Sequence, residues 1–506
     1  MLEDSDRGSI TRYSFYLTGP LETDKVGLIL RGNFLRRGGS TVKNDKGEEM
    51  SQRGASVNPA SLRNHSLGGK LTWKLDDRNS VWLDADTAVS DFDGQQAMRY
   101  ERDKITLGSD NRTSYGKWNT TLTYNTTELF GYGRKSGGEK LKSGNLIFDT
   151  KLVAPVGDSH TLMVGGRYWD EEFEKGTLVE NGLGILHTYN SALFIEDEWR
   201  LRDNLALTYG ARYDHYNTWG NHTSPKGYLV WKADNNWTIK GGVSTGFKAP
   251  SLTQSAPGHT GNSGGSHNIG TINQIYIIGN PDLKPEKSVN KEIGFYYQTP
   301  EGLSLNATLF RNDFKDKIDF TDWEWVNGRK EQSYRNIDKA KTSGVELGSK
   351  IPLAQDLSLN LNYTYTKSEQ TSGENAGAPL NNTPKHAATL RLNWDVNEKT
   401  TAWLRGEYRA KMNRYTDKNL NPTQQSVVDA LGKEFSSYSV FDIGISRKLS
   451  DSVTLNFTVN NIFDKDFGET ALVNGETYYK YIQIGKGTAG TYISGRNYWT
   501  SLNYNF

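Results

Sequence analysis

The binding chemistry that stands out in this chain is a set of basic and indole side chains in polar stretches. They are Arg36, Arg37, Arg53, Lys135, Trp219, Lys248, Trp323, Trp325, Arg409, Lys411 and Arg414. Guanidinium and ammonium groups beside indoles suit a bulky anion that carries aromatic rings, through charge pairing, stacking and cation–π contact. Taken one at a time, each reads as well as a solvated loop charge or an interfacial anchor. Two imidazoles offer a different chemistry. His259 and His267 lie in the Gly- and Ser-rich stretch 256–271, and imidazole is a good axial ligand for iron. That flexible composition suits a loop closing on a ligand but fixes an axial ligand poorly. Catalysis finds no support. The 8 histidines fall mostly in loop and turn stretches, and no Ser/His or Asp/His set converges with them. No metal-ligand pattern is visible. With no cysteine, thiol chemistry and Cys-ligated zinc are excluded.

The elements that position these residues have a period of two. Leu357, Leu359, Leu361, Tyr363 and Tyr365 alternate with polar neighbours, as do Val453, Leu455, Phe457 and Val459, and Leu205, Leu207, Tyr209, Ala211 and Tyr213. Each such segment is a strand with one apolar and one polar face. No amphipathic helix of any length stands out. A soluble β-sandwich shares the alternation, but three features favour a membrane barrel. The strands run to about ten residues or more, the length a tilted strand needs to cross a bilayer. Short turns such as 201–203, 234–235 and 299–301 alternate with long polar loops such as 37–62, 247–285, 412–435 and 462–495. Tyrosine and tryptophan recur near strand ends, where interfacial girdles sit. Composition agrees. Only 35% of the residues are hydrophobic, no stretch approaches a spanning helix, and 60 basic against 59 acidic residues give no nucleic-acid signature.

About 21 strands can be read, with ends uncertain by two to four residues. The first, near 9–18, and the last, 496–506, run in the same direction. An up-and-down barrel closes with an even number, so parity points to a parent of about 22 strands whose first strand is absent here. Residues 1–8 are too short and polar to supply it. An exposed edge is then expected between 9–18 and 496–506. The start, Met1-Leu2-Glu3-Asp4, shows no basic and apolar signal segment. Residues 1–506 read as a single barrel domain.

The last strand places Tyr498, Thr500, Leu502, Tyr504 and Phe506 on one face. A terminal aromatic on such a strand looks like the signal read by the barrel-assembly machinery. Further along the same lines, Phe247-Lys248-Ala249-Pro250-Ser251-Leu252 is followed by Asn280-Pro281-Asp282-Leu283-Lys284-Pro285-Glu286 and then Glu292-Ile293-Gly294. Ala192 to Trp199, Thr223-Ser224-Pro225-Lys226, Phe310-Arg311-Asn312-Asp313, Ser343-Gly344-Val345-Glu346 and Asn460 to Lys465 extend the pattern in order. In these motifs the chain resembles the TonB-dependent receptors, and among them the colicin I receptor and ferric enterobactin receptor branch.

The resemblance implies an all-β, antiparallel transmembrane barrel in the bacterial outer membrane. It implies capture of a ferric siderophore of the catecholate type as the transported ligand, with no cofactor. The basic and indole set would then face that ligand or lipopolysaccharide phosphates. Colicins or phages could use the same surface. Haem receptors resemble the same arrangement and place a histidine between its two halves, which makes haem the alternative ligand, with His259 and His267 its candidates. The family's globular plug, through which TonB pulls, has no counterpart among these residues. A plugless passive pore is therefore a third reading. Glu286 and Glu292, with Glu196, Asp197, Glu198 and Asp214, are expected to face a polar lumen, because a charge on the lipid side is costly.

Overall fold

The computed structural model describes residues 2–3, 10–39, 42–43, 51–52, 55–56, 61–93, 97–132, 139–176, 178, 182–263, 275–321, 324–373, 375–380, 383–415, 420–467, 469–473, 476–481 and 495–504. Among the described residues, twenty-one wall strands follow one another in an antiparallel ladder that curls into a barrel. They are β1 (Ile10–Glu22), β2 (Val26–Arg37), β3 (Ser61–Lys74), β4 (Asn79–Asp93), β5 (Ala97–Thr113), β6 (Gly116–Tyr132) and β7 (Glu139–Val156). Next come β8 (His160–Lys175), β9 (Ile185–Arg202), β10 (Leu205–Tyr216), β11 (Gly220–Lys232), β12 (Trp237–Lys248), β13 (Glu286–Gln298) and β14 (Ser304–Phe320). The last seven are β15 (Arg329–Ala354), β16 (Leu357–Gln370), β17 (His386–Asn397), β18 (Thr400–Arg409), β19 (Tyr438–Lys448), β20 (Val453–Asn460) and β21 (Asn497–Tyr504). Each strand read from alternation is present. Most exceed the roughly ten residues needed to span, so their upper ends project past a bilayer.

Short turns at one end are closed by side chains. Asp234 Oδ1 accepts from the backbone of Asn236 and Trp237 at 2.8 Å each. Asp76 Oδ1 does the same for Arg78 and Asn79. The outer face is apolar along the barrel, and at this end it carries a ring of indoles: Trp73, Trp118, Trp199, Trp231, Trp237 and Trp394, all exposed. Such a ring marks a membrane–water interface. The inner face is polar and laced with ion pairs. Arg31 bridges Asp84 and Asp86, Arg311 pairs with Asp313 at 2.8 Å, and Arg405 links Glu407 and Asp442.

Inside the short-turn end, an indole lies over a glycine of the next strand. A Cβ on Gly108 would stand 2.1 Å from the Trp82 ring, whose Nε1 donates to Asp110. Gly444 has the same relation to Trp403. Gly108→Ala should therefore displace Trp82 and cost about 1–3 kcal/mol, the usual range for overpacking. Denaturant unfolding of the folded barrel measures this, and an unchanged midpoint would remove the close-approach argument.

Two findings depart from the sequence reading, and the seam agrees with it. A ten-residue helix, α1 (Pro422–Leu431), sits in a long loop, with Asn421 as N-cap in a capping box with Gln424 and with Val427 buried. Asn-Pro-x-Gln is the local signal for that start. Glu196 faces the lumen and pairs with Lys226, but Asp197 points to the outer wall. At the seam, no pairing of β1 with β21 occurs among the described residues, and both strands are exposed on both faces. Residues Leu2–Glu3 pair instead with Val42–Lys43 in a loop.

Candidate functional site

The long-loop end holds two folded assemblies. The first is a ledge built on β15, whose 26 residues carry it well beyond the barrel wall. Strand 275–279 pairs with it in parallel, and strands 258–263 and 324–326 flank the pair. Asn327-Gly328 makes the tight turn, with both residues at positive φ (49° and 77°), the pattern of a type I′ hairpin. The ledge is tied down by side chains. Lys175 Nζ donates to Thr260 O at 2.9 Å, Ser333 Oγ to Ile278 O at 2.8 Å, and Asn280 Nδ2 to Tyr334 O at 2.8 Å. Because Lys175 tops the lumen side of β8, the 258–263 strand leans over the barrel mouth.

One face of the ledge gathers His259, Tyr276, Arg329 and Glu331. The Arg329 guanidinium lies 4.7 Å over the Tyr276 ring, and the His259 ring is 5.1 Å from the same phenol. Glu331 holds one edge of the guanidinium at 2.6 Å. On the other face, Lys330 stands 5.7 Å over Trp325. This is a cation–aromatic surface able to stack and pair with an aromatic anion. Sequence reasoning found Trp325 and His259 but missed Tyr276, Arg329 and Lys330. The Asn-Gly turn signal between Trp325 and Arg329 was the clue available.

The second assembly joins the loops 410–437 and 461–481. Phe467, Tyr438 and Tyr481 form its apolar centre. Arg414 is its strut, only 4% exposed. Its guanidinium donates to Gly432 O (3.0 Å), Tyr479 O (2.7 Å) and Lys480 O (3.2 Å) and lies 4.1 Å over the Phe435 ring. Burial pushes its pKa below the ordinary guanidinium value. With its donors directed at carbonyls, Arg414 holds the loops together rather than offering itself to a ligand.

The other sequence candidates are scattered. Arg36 and Arg37 end β2 rather than lying in a loop, Arg36 on the outer face and Arg37 on the inner. Lys248 ends β12, 3.7 Å from Glu286. Arg409 ends β18 and donates to Glu407 at 2.9 Å. Trp219 sits in a three-residue turn against Tyr216, and Lys411 is exposed, 4.0 Å from Glu434. Arg53, Lys135, Trp323, His267 and Phe506 lie outside the described residues. Tyr498, Leu502 and Tyr504 share the outer face of β21. Glu286 accepts from Ile318 N at 2.7 Å and Glu292 from Tyr228 at 3.0 Å, both in wall networks. Among the described residues no group of three His, Cys, Asp or Glu side chains could hold a metal.

A small acid-sensitive tether stands at the entry to β21. Asp464 accepts from Arg496 N at 2.8 Å and from its guanidinium at 3.3 Å. The Arg496 N–H, more than the charge, holds the Asp464 carboxyl below its usual range. A depressed carboxyl pKa contributes stability above the unfolded value of about 3.9, and this is lost as pH falls through the folded value. Amide exchange at Arg496, corrected for its intrinsic rate, should accelerate only below about pH 4. Asp464→Asn should abolish that pH step. A step that persists in the variant would assign it to another group.

The TonB dependent receptor-like β-barrel family matches residues 13–462. This chain belongs to that family. The iron-regulated outer membrane virulence protein of Vibrio cholerae is 31% identical over all of this chain and 72% of its own length. The ferric enterobactin receptor of Pseudomonas aeruginosa is 26% identical over 99% of this chain and 74% of its own. A solved structure of a mutant ferric enterobactin receptor from Pseudomonas aeruginosa in complex with enterobactin superposes with a TM-score of 0.77 at 22% identity, covering 99% of this chain and 79% of that one. A shorter match, 33% identical over 34% of this chain and 26% of the relative, is to the heme/hemopexin utilization protein C of Haemophilus influenzae. The family consists of transport receptors rather than enzymes, and this TonB-dependent barrel needs no cofactor for such a role.

Proposed function

We propose that this receptor sits in the bacterial outer membrane and takes up a ferric siderophore of the catecholate type. Uptake would be energised through TonB, the trait of the family. The single observation that carries the ligand class is the ledge face formed by Tyr276, Arg329 and His259 over the barrel mouth. A ferric catecholate is anionic and ringed with aromatics, and that face offers a guanidinium and stacking surfaces together. The match to a ferric enterobactin receptor over 99% of this chain and 74% of that receptor supports the same class. For haem, His259 would be the ligand, but its ring is packed against Tyr276. The outward Arg36 suits a lipopolysaccharide phosphate, and the outward run of β21 suits the assembly machinery. Use of the loops by a colicin or phage remains an extension of the same surface.

The test is titration of the folded chain, in detergent, with a ferric tris-catecholate, a ferric hydroxamate and haem, followed by tryptophan fluorescence. Saturable quenching by the catecholate at the lowest concentration is the expected result. Tighter binding of haem, lost in His259→Ala, would replace this reading with the haem one.

A further inference from the structure

The outer wall near its short-turn end contains a polar cluster that uptake does not require. Along β9 the outward residues are Leu193, Ile195, Asp197 and Trp199, with Leu193 69% exposed and Ile195 52% exposed. Their outward neighbours are Leu162 and Val164 on β8 and Leu207 and Ala211 on β10. Asp197 interrupts this apolar field. A carboxylate there is costly unless it is paired and hydrogen-bonded. Its Oδ2 receives His160 Nδ1 at 2.7 Å and the Tyr209 hydroxyl at 2.9 Å. Its Oδ1 is buried with no donor, and the residue is 8% exposed overall. The His160 ring stacks on the Trp199 indole, 5.4 Å apart and 16° from parallel.

Depth identifies the neighbour. Asp197 lies two residues inward from Trp199, and Trp199 belongs to the indole ring at the short-turn interface. The molecules that meet the wall at this level are phospholipids of the inner leaflet, at headgroup height. We propose that His160, Asp197, Trp199 and Tyr209 dock an ammonium-bearing phospholipid headgroup. The ammonium is the donor that fits. It donates to the phenol oxygen of Tyr209, lies against the indole face, and balances the carboxylate beneath. Tyr209 and Trp199 are 45% and 38% exposed, so a headgroup reaches the cluster through them. An anionic glycerol headgroup would meet the carboxylate with like charge and be disfavoured. The proposal rests on membrane placement alone and is independent of the transported ligand.

The test uses the whole chain, folded in detergent and exchanged against mixed micelles of phosphatidylethanolamine and phosphatidylglycerol. Retained lipid is counted by native mass spectrometry. The wild type should retain phosphatidylethanolamine over phosphatidylglycerol by about fivefold, the range of one exposed cation–π contact. Asp197→Asn, which keeps the shape and the indole but removes the charge beneath the ammonium, should lower that ratio by about half. Should Asp197→Asn not fold, Trp199→Leu keeps the wall apolar and should reduce the ratio on its own. Equal retention of the two lipids by the wild type, or an unchanged ratio in the variant that folds, would overturn the proposal.

Discussion

Replacing Tyr276 and Arg329 together by alanine should weaken binding of a ferric tris-catecholate by about 30- to 100-fold, from roughly 1 kcal/mol for each lost cation–aromatic contact and a further contribution from charge. The extra contribution comes from Glu331. In the wild type it is held by the Arg329 guanidinium at 2.6 Å. Without Arg329 it presents an unbalanced negative charge to an anionic ligand. Lys248→Ala is the comparison, because Lys248 is highly exposed and only loosely paired with Glu286 at 3.7 Å. A surface charge of that kind is worth less than 1 kcal/mol, so the affinity should change by under about fivefold. Fluorescence titration reads both. An unchanged affinity in the double variant would move the primary site off the ledge. The ledge is tied by Lys175, Ser333 and Asn280 rather than by the substituted residues, so its fold should survive the change.

Arg414→Ala should release the second loop assembly while leaving the barrel intact. The guanidinium satisfies three carbonyls and covers the Phe435 ring. Losing charged hydrogen bonds to buried acceptors costs about 3 kcal/mol even after some carbonyls regain water. On that scale the amides of Lys480 and Ser436 should exchange about a hundredfold faster, since each 1.4 kcal/mol is a factor of ten. Both are now bonded within the assembly, Lys480 N to Glu469 O and Ser436 N to Lys480 O. Arg414→Lys should behave nearly as poorly, because a single ammonium cannot span three carbonyls and stack as well. Amides of β19 and β20 should be unaffected. If they too exchange faster, Arg414 supports the wall as well as the loops.

The sequence by itself determined the strands, their count and their faces. Alternation is a local property, and it remained visible in β16 and β20 because one side of each meets lipid and the other water. The even spacing of short turns was equally local, as the Asp234 turn illustrates. At Asp197 the alternation was right and the charge argument was wrong: period two puts it with Leu193, Ile195 and Trp199 on the outer wall. What the chain alone does not show is that His160 on β8 and Tyr209 on β10 meet that carboxylate. Periodicity failed in the loops. Arg414 and Arg329 are both arginines in polar stretches, yet one is a buried strut and the other a cation over a phenol. What separates them is contact between segments far apart in sequence: Arg414 with Tyr479, and Arg329 with Tyr276. A strand's period is written along the chain, whereas the role of a loop cation depends on which distant backbone folds back to meet it. Only the tertiary structure decides that.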